Sequence, residues 1–292
     1  MSTSSVLVVN DQTDVRLPND GPPSRRLIVT LFGLYARPQD NWLSISTIVK
    51  LMGNLGTDEP AVRSSVSRLK RRGILESQKR SGVTGYALST SGLDVVAEGD
   101  HRIFDRRRAT VDDEWVMVVF SVPESERERR HELRATLTRA GFGTVGPGVW
   151  IAPGHMCDEV RPRLARLGLD TYVEIFEVRH VCFTPIEVAI QRWWDFDQLA
   201  ALYSSFIDRY TPIADWSVGR RIEPSRAFAA YVPMLTEWRR LPYMDPGLPI
   251  ALLPSDWPGI EAEALFDRLH KRLRGPAQQH ADVVLDSCRT NA

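Results

Sequence analysis

The pattern of apolar and polar positions in the first 90 residues predicts helices followed by a hairpin. The segment from Arg26 to Tyr35 (RLIVTLFGLY) is apolar enough for a buried helix. Ser44 stands just before apolar residues at helical spacing, which predicts a capped amphipathic helix that ends near Gly53. Two helices in quick succession therefore begin the ordered part of the chain.

A third helix is predicted to start after Thr57 or Asp58, either of which can cap it, and to end at Gly73. One apolar stripe at i, i+4 and i+7 predicts its buried face. The stripe consists of Val62, Val66 and Leu69. The polar and basic residues between these positions are therefore turned toward other faces of the helix.

Short strands are predicted at Ile74 to Lys79 and Tyr86 to Ser89, joined by a hairpin tip from Arg80 to Gly85 that contains two glycines. Three helices followed by such a hairpin describe a winged helix-turn-helix. In that arrangement the third helix enters the major groove of DNA, and the hairpin reaches phosphates or the adjacent groove.

Charge supports this interpretation once it is divided by region. The whole chain has 37 basic and 37 acidic side chains, but residues 21–90 carry a net charge of +7 and the 202 residues after them sum to −5. Basic groups concentrate on the third helix and the hairpin, where arginine can bond guanine and hydroxyls can bond phosphate. The alternative is an ordinary solvated helix. The candidate DNA-binding residues are Arg63, Ser64, Ser67, Arg68, Lys70, Arg71, Lys79 and Arg80.

The middle of the chain alternates strand and helix patterns. A β-α-β-α-β succession of this kind predicts a ferredoxin-like domain. The predicted elements are a strand at Trp115 to Ser121, a helix at Glu124 to Ala140, a strand at Val145 to Ile151, a helix at Asp158 to Leu167 and a strand at Thr171 to Val181. Before them, a helix from Ser91 to Glu98 leads into an arginine-rich linker, which is expected either to touch DNA phosphates or to be a solvated hinge.

The last third is helical in pattern and rich in tryptophan. Its predicted helices are Ile186 to Trp193, Leu199 to Tyr210, Ser225 to Leu241 and Ile260 to Leu273. The last of them is expected to end at Gly275-Pro276, with a mobile tail beyond. Between the last two lies a loop, Asp245 to Gly259, that is punctuated by proline and glycine and too irregular for a helix.

The segments RLIVTLFGLYAR, LSISTIVKLMGNLGTDEPAVRSSVSRLKRRGIL, VVFSVPE and DPGLPIALLPSDWPG together resemble the PaaX family of bacterial transcriptional repressors. The resemblance spans residues 25–275, and the last of these motifs is the most distinctive. It implies a homodimer that binds a palindromic operator on double-stranded DNA, controls phenylacetate-type catabolism and is released by an aryl-acyl-CoA such as phenylacetyl-CoA. No cofactor is implied. A regulator with a different effector, or none, is the alternative.

An effector pocket in the last third would need aromatic faces and a cation for phosphate. Trp238, Arg239 and Arg240 offer both and are the candidate effector residues. The alternative is that the aromatic residues there form a helical core and a dimer surface.

Three other types of site are weaker. Ferredoxin-like domains also occur in small nucleases that hold a metal with an Asp after the first strand, but Ser121 stands there, and a hydroxyl is a poorer ligand for a hard cation. Gly141, Gly143 and Gly146 match G-x-G-x-x-G, yet a helix precedes them and a strand follows, the reverse of a dinucleotide site. His155-Met156-Cys157 and His180-Val181-Cys182 carry zinc-type donors at a spacing that fits no common zinc motif.

Composition agrees with a globular protein that is not an enzyme. Hydrophobic residues make up 43% and charged residues 25%, no catalytic constellation is visible, and three cysteines form no disulfide framework. With no signal peptide or membrane span, a cytoplasmic location is expected. The fold class is α+β and multidomain. The predicted parts are a disordered tail (1–23), a winged helix-turn-helix (24–100), a basic linker (101–112), a ferredoxin-like domain (113–183), a helical dimerisation and effector domain (184–275) and a mobile tail (276–292).

Overall fold

A computed structural model describes residues 23–180, 183–217 and 221–289. The predicted disordered tail, apart from Pro23, lies outside the described residues. Among these residues two compact units are separated by their contacts. The first unit consists of the described residues of Met1–Asp100, Phe206–Trp238 and Glu263–Ala292, and the second unit consists of those of His101–Ser205 and Arg239–Ala262.

Each of the two units contains both helices and strands, so the predicted mixed α+β class is confirmed. The helices are α1 (Ser24–Leu31), α2 (Ile45–Gly53), α3 (Glu59–Arg71), α4 (Thr90–Phe104), α5 (Arg127–Arg139), α6 (Cys157–Arg166), α7 (Ile186–Trp193), α8 (Phe196–Ser217), α9 (Pro224–Trp238), α10 (Leu241–Met244) and α11 (Gly259–Arg289). The strands are β1 (Leu43–Ser44), β2 (Leu75–Arg80), β3 (Val83–Leu88), β4 (Trp115–Phe120), β5 (Gly143–Gly146), β6 (Val149–Pro153) and β7 (Val173–Val178).

The predicted caps of α2 and α3 are confirmed. The Ser44 hydroxyl accepts a hydrogen bond of 3.0 Å from the backbone N–H of Thr47 at the start of α2. The Asp58 carboxylate accepts one of 2.7 Å from the N–H of Ala61 at the start of α3, which selects Asp58 over Thr57 as the cap. Each cap satisfies a backbone donor that the first turn of a helix leaves unpaired.

Strands β1, β3 and β2 form an antiparallel sheet in that order in the first unit. Strand β1 lies between α1 and α2 in the chain, and β2 and β3 follow α3. The predicted six-residue hairpin tip is wrong, because β2 and β3 pair up to Arg80 and Val83. Only Ser81 and Gly82 turn the chain, with φ of 49° and 84°. A two-residue turn with two positive φ angles matches the right-handed twist of its strands, so it can close the hairpin tightly.

Two C-terminal helices belong to the same unit as these elements. In α9, the Thr236 hydroxyl donates to the Thr30 hydroxyl of α1 over 2.8 Å. In α11, His280 Nε2 lies 2.9 Å from Asn54 Oδ1 just after α2. The C-terminal third therefore does not fold as one separate domain, and its helices support the N-terminal ones.

The predicted end of the last helix at Gly275-Pro276, with a mobile tail beyond it, is wrong. Helix α11 continues through Pro276 to Arg289. Proline costs a helix about 3 kcal/mol in its interior, and tertiary burial offsets that cost here. Buried residues continue along the segment beyond Pro276, namely Ala277, Ala281, Val284 and Leu285.

The second unit contains a four-stranded antiparallel sheet in the order β5-β6-β4-β7. Helices α5 and α6 contribute Leu133, Leu137, Val160 and Leu164 to a core with one face of this sheet. The order of elements is β-α-β-β-α-β, the ferredoxin-like succession. The single strand predicted from Val145 to Ile151 is wrong, because the hairpin of β5 and β6 occupies this region.

Candidate nucleic-acid interface and a buried aspartate cluster

Helix α3 separates an apolar face from a polar one. Val62, Val66 and Leu69 are buried as predicted, and Ser65 is buried beside them. At about 100° per residue, the line opposite this stripe carries Ser64, Ser67 and Arg71. All six candidate residues on the helix are exposed, namely Arg63, Ser64, Ser67, Arg68, Lys70 and Arg71.

The charges on α3 suit its dipole. Glu59 lies in the first turn and three basic residues lie in the last, where each sign is stabilised by the partial charge of the helix end. Arg63 also pairs with Glu59 over 2.7 Å, and both side chains are more than half exposed. Exposed pairs of this kind contribute at most about 1 kcal/mol, so a phosphate can replace Glu59 as the partner of Arg63.

The two candidate residues of the hairpin have different surroundings. Lys79 is exposed, whereas Arg80 is half-buried. The Arg80 guanidinium donates from Nη2 to the backbone oxygen of Asp40 over 3.0 Å and lies 5.5 Å from the centre of the Trp42 ring. Trp42 could not be identified from the sequence, because a single tryptophan between two predicted helices carries no periodic signal.

The candidate effector residues are not brought together on an open surface. Trp238 is 2% exposed, and its ring stacks on Phe266 at 4.4 Å and lies 5.1 Å from Phe206. This tryptophan is part of the core of the first unit, which agrees with the alternative that the aromatic residues form a helical core. Arg239 and Arg240 are half-buried and belong to the second unit.

The most deeply buried charge in the second unit is Asp245, the first residue of the distinctive Asp-Pro-Gly motif. Its side chain is 3% exposed, and its Oδ2 lies 2.5 Å from Arg106 Nη2 and 3.9 Å from Arg108 Nη2. The Tyr203 hydroxyl donates to the same oxygen over 2.8 Å, and the N–H of Gly247 donates to Oδ1 over 2.8 Å. We call Arg106, Arg108, Tyr203 and Asp245 the aspartate cluster.

Electrostatics in the aspartate cluster favour the ionised carboxylate. Burial alone would raise the pKa of Asp245, but Arg106 and Arg108 lower it, and the pKa lies below its ordinary value. Burial raises the pKa of the Tyr203 hydroxyl, and the negative charge of Asp245 raises it further. Tyr203 therefore stays protonated and donates to the carboxylate.

The same motif holds the segment that was predicted to be a basic linker. Ala109 N–H donates to Gly247 O over 2.8 Å, and Arg108 Nη1 donates to Leu248 O over 3.0 Å. Gly247 has φ of 70°, and a Cβ atom there would lie 2.6 Å from Arg107 O. Glycine is required at this position because both the backbone angle and the close approach exclude a side chain.

The predicted linker, residues 101–112, is therefore not a solvated hinge. Most of its arginines are held in contacts within the protein and are not placed to bind phosphates. Arg102 lies in α4, is buried, and pairs with Glu159 while its guanidinium stands 4.9 Å from the centre of the Tyr243 ring. Arg106 and Arg108 belong to the aspartate cluster, and Arg107 alone of the four has a mostly exposed side chain. Asp245 carries no signal in the sequence, because it lies more than 130 residues from Arg106 and Arg108.

The two His-x-Cys pairs do not form a donor set among the described residues. Burial and the nearby Arg107 lower the pKa of His155 to about 4, and Cys157 is half-buried. His180 packs edge-on against Trp193, while Val181 and Cys182 lie outside the described residues. Within residues 23–180, 183–217 and 221–289, no group of three or more His, Cys, Asp or Glu side chains could hold a metal ion.

The remaining sequence motifs have structural roles. Ser121 follows β4 with an exposed side chain, and its N–H donates to Tyr172 O over 3.1 Å. Gly141 ends α5 with φ of 86°, and a Cβ atom on Gly143 would lie 2.7 Å from the Trp194 ring. The G-x-G-x-x-G match is thus a helix end and a close contact, as the order of helix and strand predicted. In the described part of the chain, no helix is long and apolar enough to span a membrane.

Fold and surface together define an α+β protein with a basic, exposed helix and hairpin in its first unit and a ferredoxin-like sheet in its second. Comparison with known proteins gives the family. The chain belongs to the PaaX family, because three models of that family match it. Residues 24–92 match the family model described as PaaX-like protein, residues 108–187 the PaaX protein central Cas2-like domain, and residues 194–283 the PaaX-like protein C-terminal domain. The family predicted from the sequence motifs is therefore confirmed.

A similar repressor agrees with this assignment. The chain is 24% identical over 254 residues to the transcriptional repressor PaaX of Escherichia coli, covering 85% of this chain and 79% of the relative. That relative is a transcriptional repressor, which agrees with the prediction that the chain is not an enzyme. The uncharacterized protein Rv0674 from Mycobacterium tuberculosis has a similar fold, with a TM-score of 0.57 and 21% identity over 88% of this chain and 97% of that one.

Proposed function

We propose that the protein is a transcriptional repressor that binds double-stranded DNA through a winged helix-turn-helix. The elements of this motif are α1, α2, α3 and the β2–β3 hairpin. The observation that carries the proposal is the face of α3 opposite its buried stripe, where hydroxyl and basic side chains are all exposed. The repressor similar to this chain over 85% of its length supports the same function. Such a protein acts in the cytoplasm, on the nucleoid when it is bound to DNA.

In this proposal α3 lies in the major groove. Its Ser64, Ser67 and Arg71 face the bases, while Arg63 and Lys70 on one flank and Arg68 on the other reach phosphates or base edges. The hairpin, which we call the wing, places Lys79 and Arg80 near the backbone of the adjacent groove. A repressor that works as a homodimer repeats these contacts on a palindromic operator, with half-sites about one helical turn, roughly 34 Å, or a multiple of it apart.

Base recognition by Arg68 is the sharpest test of this interface. If Arg68 bonds a guanine, Arg68→Ala costs about 1–3 kcal/mol of binding free energy and relaxes specificity at one operator position. Fluorescence anisotropy on the promoter region upstream of the protein's own gene, with each base pair varied in turn, measures both effects. Arg134→Ala, on an exposed position of α5 in the second unit, is the matched control and should bind like the unaltered protein.

Equal weakening by Arg68→Ala on every operator variant would contradict base recognition and leave Arg68 as a phosphate contact. Binding by the unaltered protein that competitor DNA does not reduce would contradict the DNA-binding proposal itself. The wing and α3 would then serve contacts to another protein.

We also propose that an aryl-acyl-CoA releases the repressor from an operon for the breakdown of an aromatic acid of the phenylacetate type. The family supports this effector, and no pocket residue is assigned, because Trp238 lies in the core. An effector must bind the DNA-incompetent state more tightly to cause release, typically by about 1–3 kcal/mol. We expect phenylacetyl-CoA or a related ester to weaken operator binding about 5- to 150-fold.

The measurement is the same anisotropy titration, repeated with a panel of aryl-acyl-CoAs, with free CoA and with the free aromatic acids. Release by one ester but not by its free acid supports the acyl-CoA class. Indifference to the whole panel would contradict this effector class and leave a repressor with a different effector or none, while DNA binding would stand.

A further inference from the structure

The chain between α1 and β1 makes an unusual turn against the wing. Asp40 and Asn41 both have positive φ, 55° and 56°, although neither is glycine. The Asn41 side chain compensates by bonding the end of β3, where it donates to Leu88 O over 2.9 Å and accepts from Leu88 N over 3.3 Å. Asparagine tolerates the left-handed region better than most residues. The turn is thus held in place by the strand that it touches.

Trp42 follows this turn and lies across the two wing strands. Its Nε1 donates to Gln78 O of β2 over 3.3 Å. Its ring lies so close to β3 that a Cβ atom on Gly85 would stand 2.4 Å from it. Gln78 and Gly85 are paired residues of the hairpin, so Trp42 contacts both strands at one level. The indole is half-buried, which leaves part of its surface at the edge of the wing.

Arg80 lies over this ring at the last paired position before the turn of the wing. Its guanidinium carbon is 5.5 Å from the ring centre, the range of a cation–π contact. Nη2 donates to Asp40 O over 3.0 Å and to Gln78 Oε1 over 3.4 Å. Arg80 therefore makes three contacts with its surroundings, all of them within the first unit.

These contacts differ from those of an ordinary surface arginine. A free arginine side chain loses rotamer freedom when it binds a phosphate, and that loss weakens binding. Arg80 has already lost most of this freedom in the folded protein. Both hydrogen bonds use Nη2, so Nε and Nη1 are the donors that a phosphate oxygen would take. Lys79, one residue before Arg80, also carries a positive charge, but its side chain is exposed and is not held in this way.

We propose that the turn of Asp40, Asn41 and Trp42 is a brace that holds Arg80 ready as the phosphate contact of the wing, and that Trp42 is the positioning residue. This inference rests on the proposed function, since the phosphate belongs to operator DNA. It goes beyond that function by assigning a role to a residue outside α3 and the wing, and by making Arg80 rather than Lys79 the ordered contact.

The experiment measures operator affinity against salt concentration for a series of full-length variants. Removing one phosphate contact lowers the slope of log K against log salt by about 0.9, which at 0.15 M salt is about fivefold in affinity. Arg80→Ala should show both effects. Trp42→Leu should weaken binding about two- to fivefold, as expected when a cation–π contact is removed. Trp42→Phe keeps a ring face under the guanidinium and should restore most of the affinity.

The double variant separates positioning from ordinary packing. If Trp42 acts through Arg80, Trp42→Leu adds nothing measurable in the Arg80→Ala background. In the Lys79→Ala background, which removes the same charge one residue away, Trp42→Leu should keep its full effect. An equal effect of Trp42→Leu in both backgrounds, or one that leaves the salt slope unchanged while Arg80→Ala alters it, would overturn the proposal.

Two further measurements keep the test decisive. Arg80→Lys preserves the charge and changes only a surface side chain, so this variant folds even if Trp42→Leu does not. It should bind operator DNA as weakly as Trp42→Leu, because an ammonium group cannot stack on the Trp42 ring as a guanidinium does. Binding equal to that of the unaltered protein contradicts the brace. NMR of the DNA-free protein should show Arg80 protons shifted by the Trp42 ring; a missing shift overturns the brace even where DNA binding itself fails.

Discussion

Replacing Asp245 with asparagine is expected to lower the free energy of unfolding of the second unit by about 3–5 kcal/mol. The substitution keeps the size of the side chain but removes its charge, which leaves Arg106 and Arg108 without the carboxylate that they share. An uncompensated charge in a buried site is costly because it has been taken out of water. Urea denaturation followed by tryptophan fluorescence measures the loss as a lower midpoint.

The control for Asp245→Asn is Glu124→Gln, which breaks a pair of 2.9 Å with Arg130 and changes a side chain that is 81% exposed. Such a pair contributes at most about 1 kcal/mol, so the control should unfold close to the unaltered protein. An Asp245→Asn midpoint that matches the control would show that the aspartate cluster contributes little to stability.

The pH dependence of the unaltered protein offers a second measurement on the same cluster. The pKa of Asp245 is lowered in the folded state. Its contribution to stability is therefore present above the ordinary pKa of an aspartate and is lost as the pH falls through the folded pKa. Asp245→Asn should remove this part of the acid dependence, and stability curves of the two proteins should converge at low pH.

Deleting residues 276–292 should destabilise the first unit by about 3–6 kcal/mol, the expected value for losing the burial of Val284 and Leu285. It also removes two contacts with the region of α2, from His280 to Asn54 and from Ser287 to Lys50. Because α2 packs on α3, operator affinity should fall together with stability. Thermal unfolding and anisotropy on the same sample measure both.

A pair of point variants controls for the deletion. Leu285 is 6% exposed, whereas Val283 on the same helix is 68% exposed. Leu285→Ala should cost about 2–5 kcal/mol, and Val283→Ala should change stability by less than about 0.5 kcal/mol. A deletion variant that melts with the unaltered protein would mean that the end of α11 is not held on the first unit.

The aspartate cluster and the end of α11 could not be predicted from local sequence patterns, whereas the helix caps could. Ser44 and Asp58 could be recognised as caps because the groups they bond lie three residues away. Pro276 was misleading because a local rule ends a helix at proline. Burial beyond Pro276, together with contacts to residues more than 200 positions away, keeps α11 intact. Asp245 could not be identified from spacing, since its partners Arg106 and Arg108 come close only after the chain has folded.

The candidate DNA-binding surface also has one part that the sequence predicts and one part that it does not. The apolar stripe of α3 predicts which side chains face outward, and the structure exposes all six of them. Nothing in the sequence distinguishes Lys79 from Arg80, although one is exposed and the other is held by Trp42 and Asp40. Successive side chains of a strand point to opposite faces, and Trp42 lies against the face of Arg80.

By itself the sequence determined the family, the mixed α+β class, most of the helices and strands and the outward face of α3. These depend on local spacing and on motifs that can be compared directly. Only the tertiary structure decided that the C-terminal helices α9 and α11 share a unit with the N-terminal helices. It also decided that Asp245 pairs with arginines of the predicted linker, and that Arg80 lies over the Trp42 ring. Each of these features depends on contacts between residues far apart in the chain. The local pattern of apolar and polar residues carries no information about such contacts.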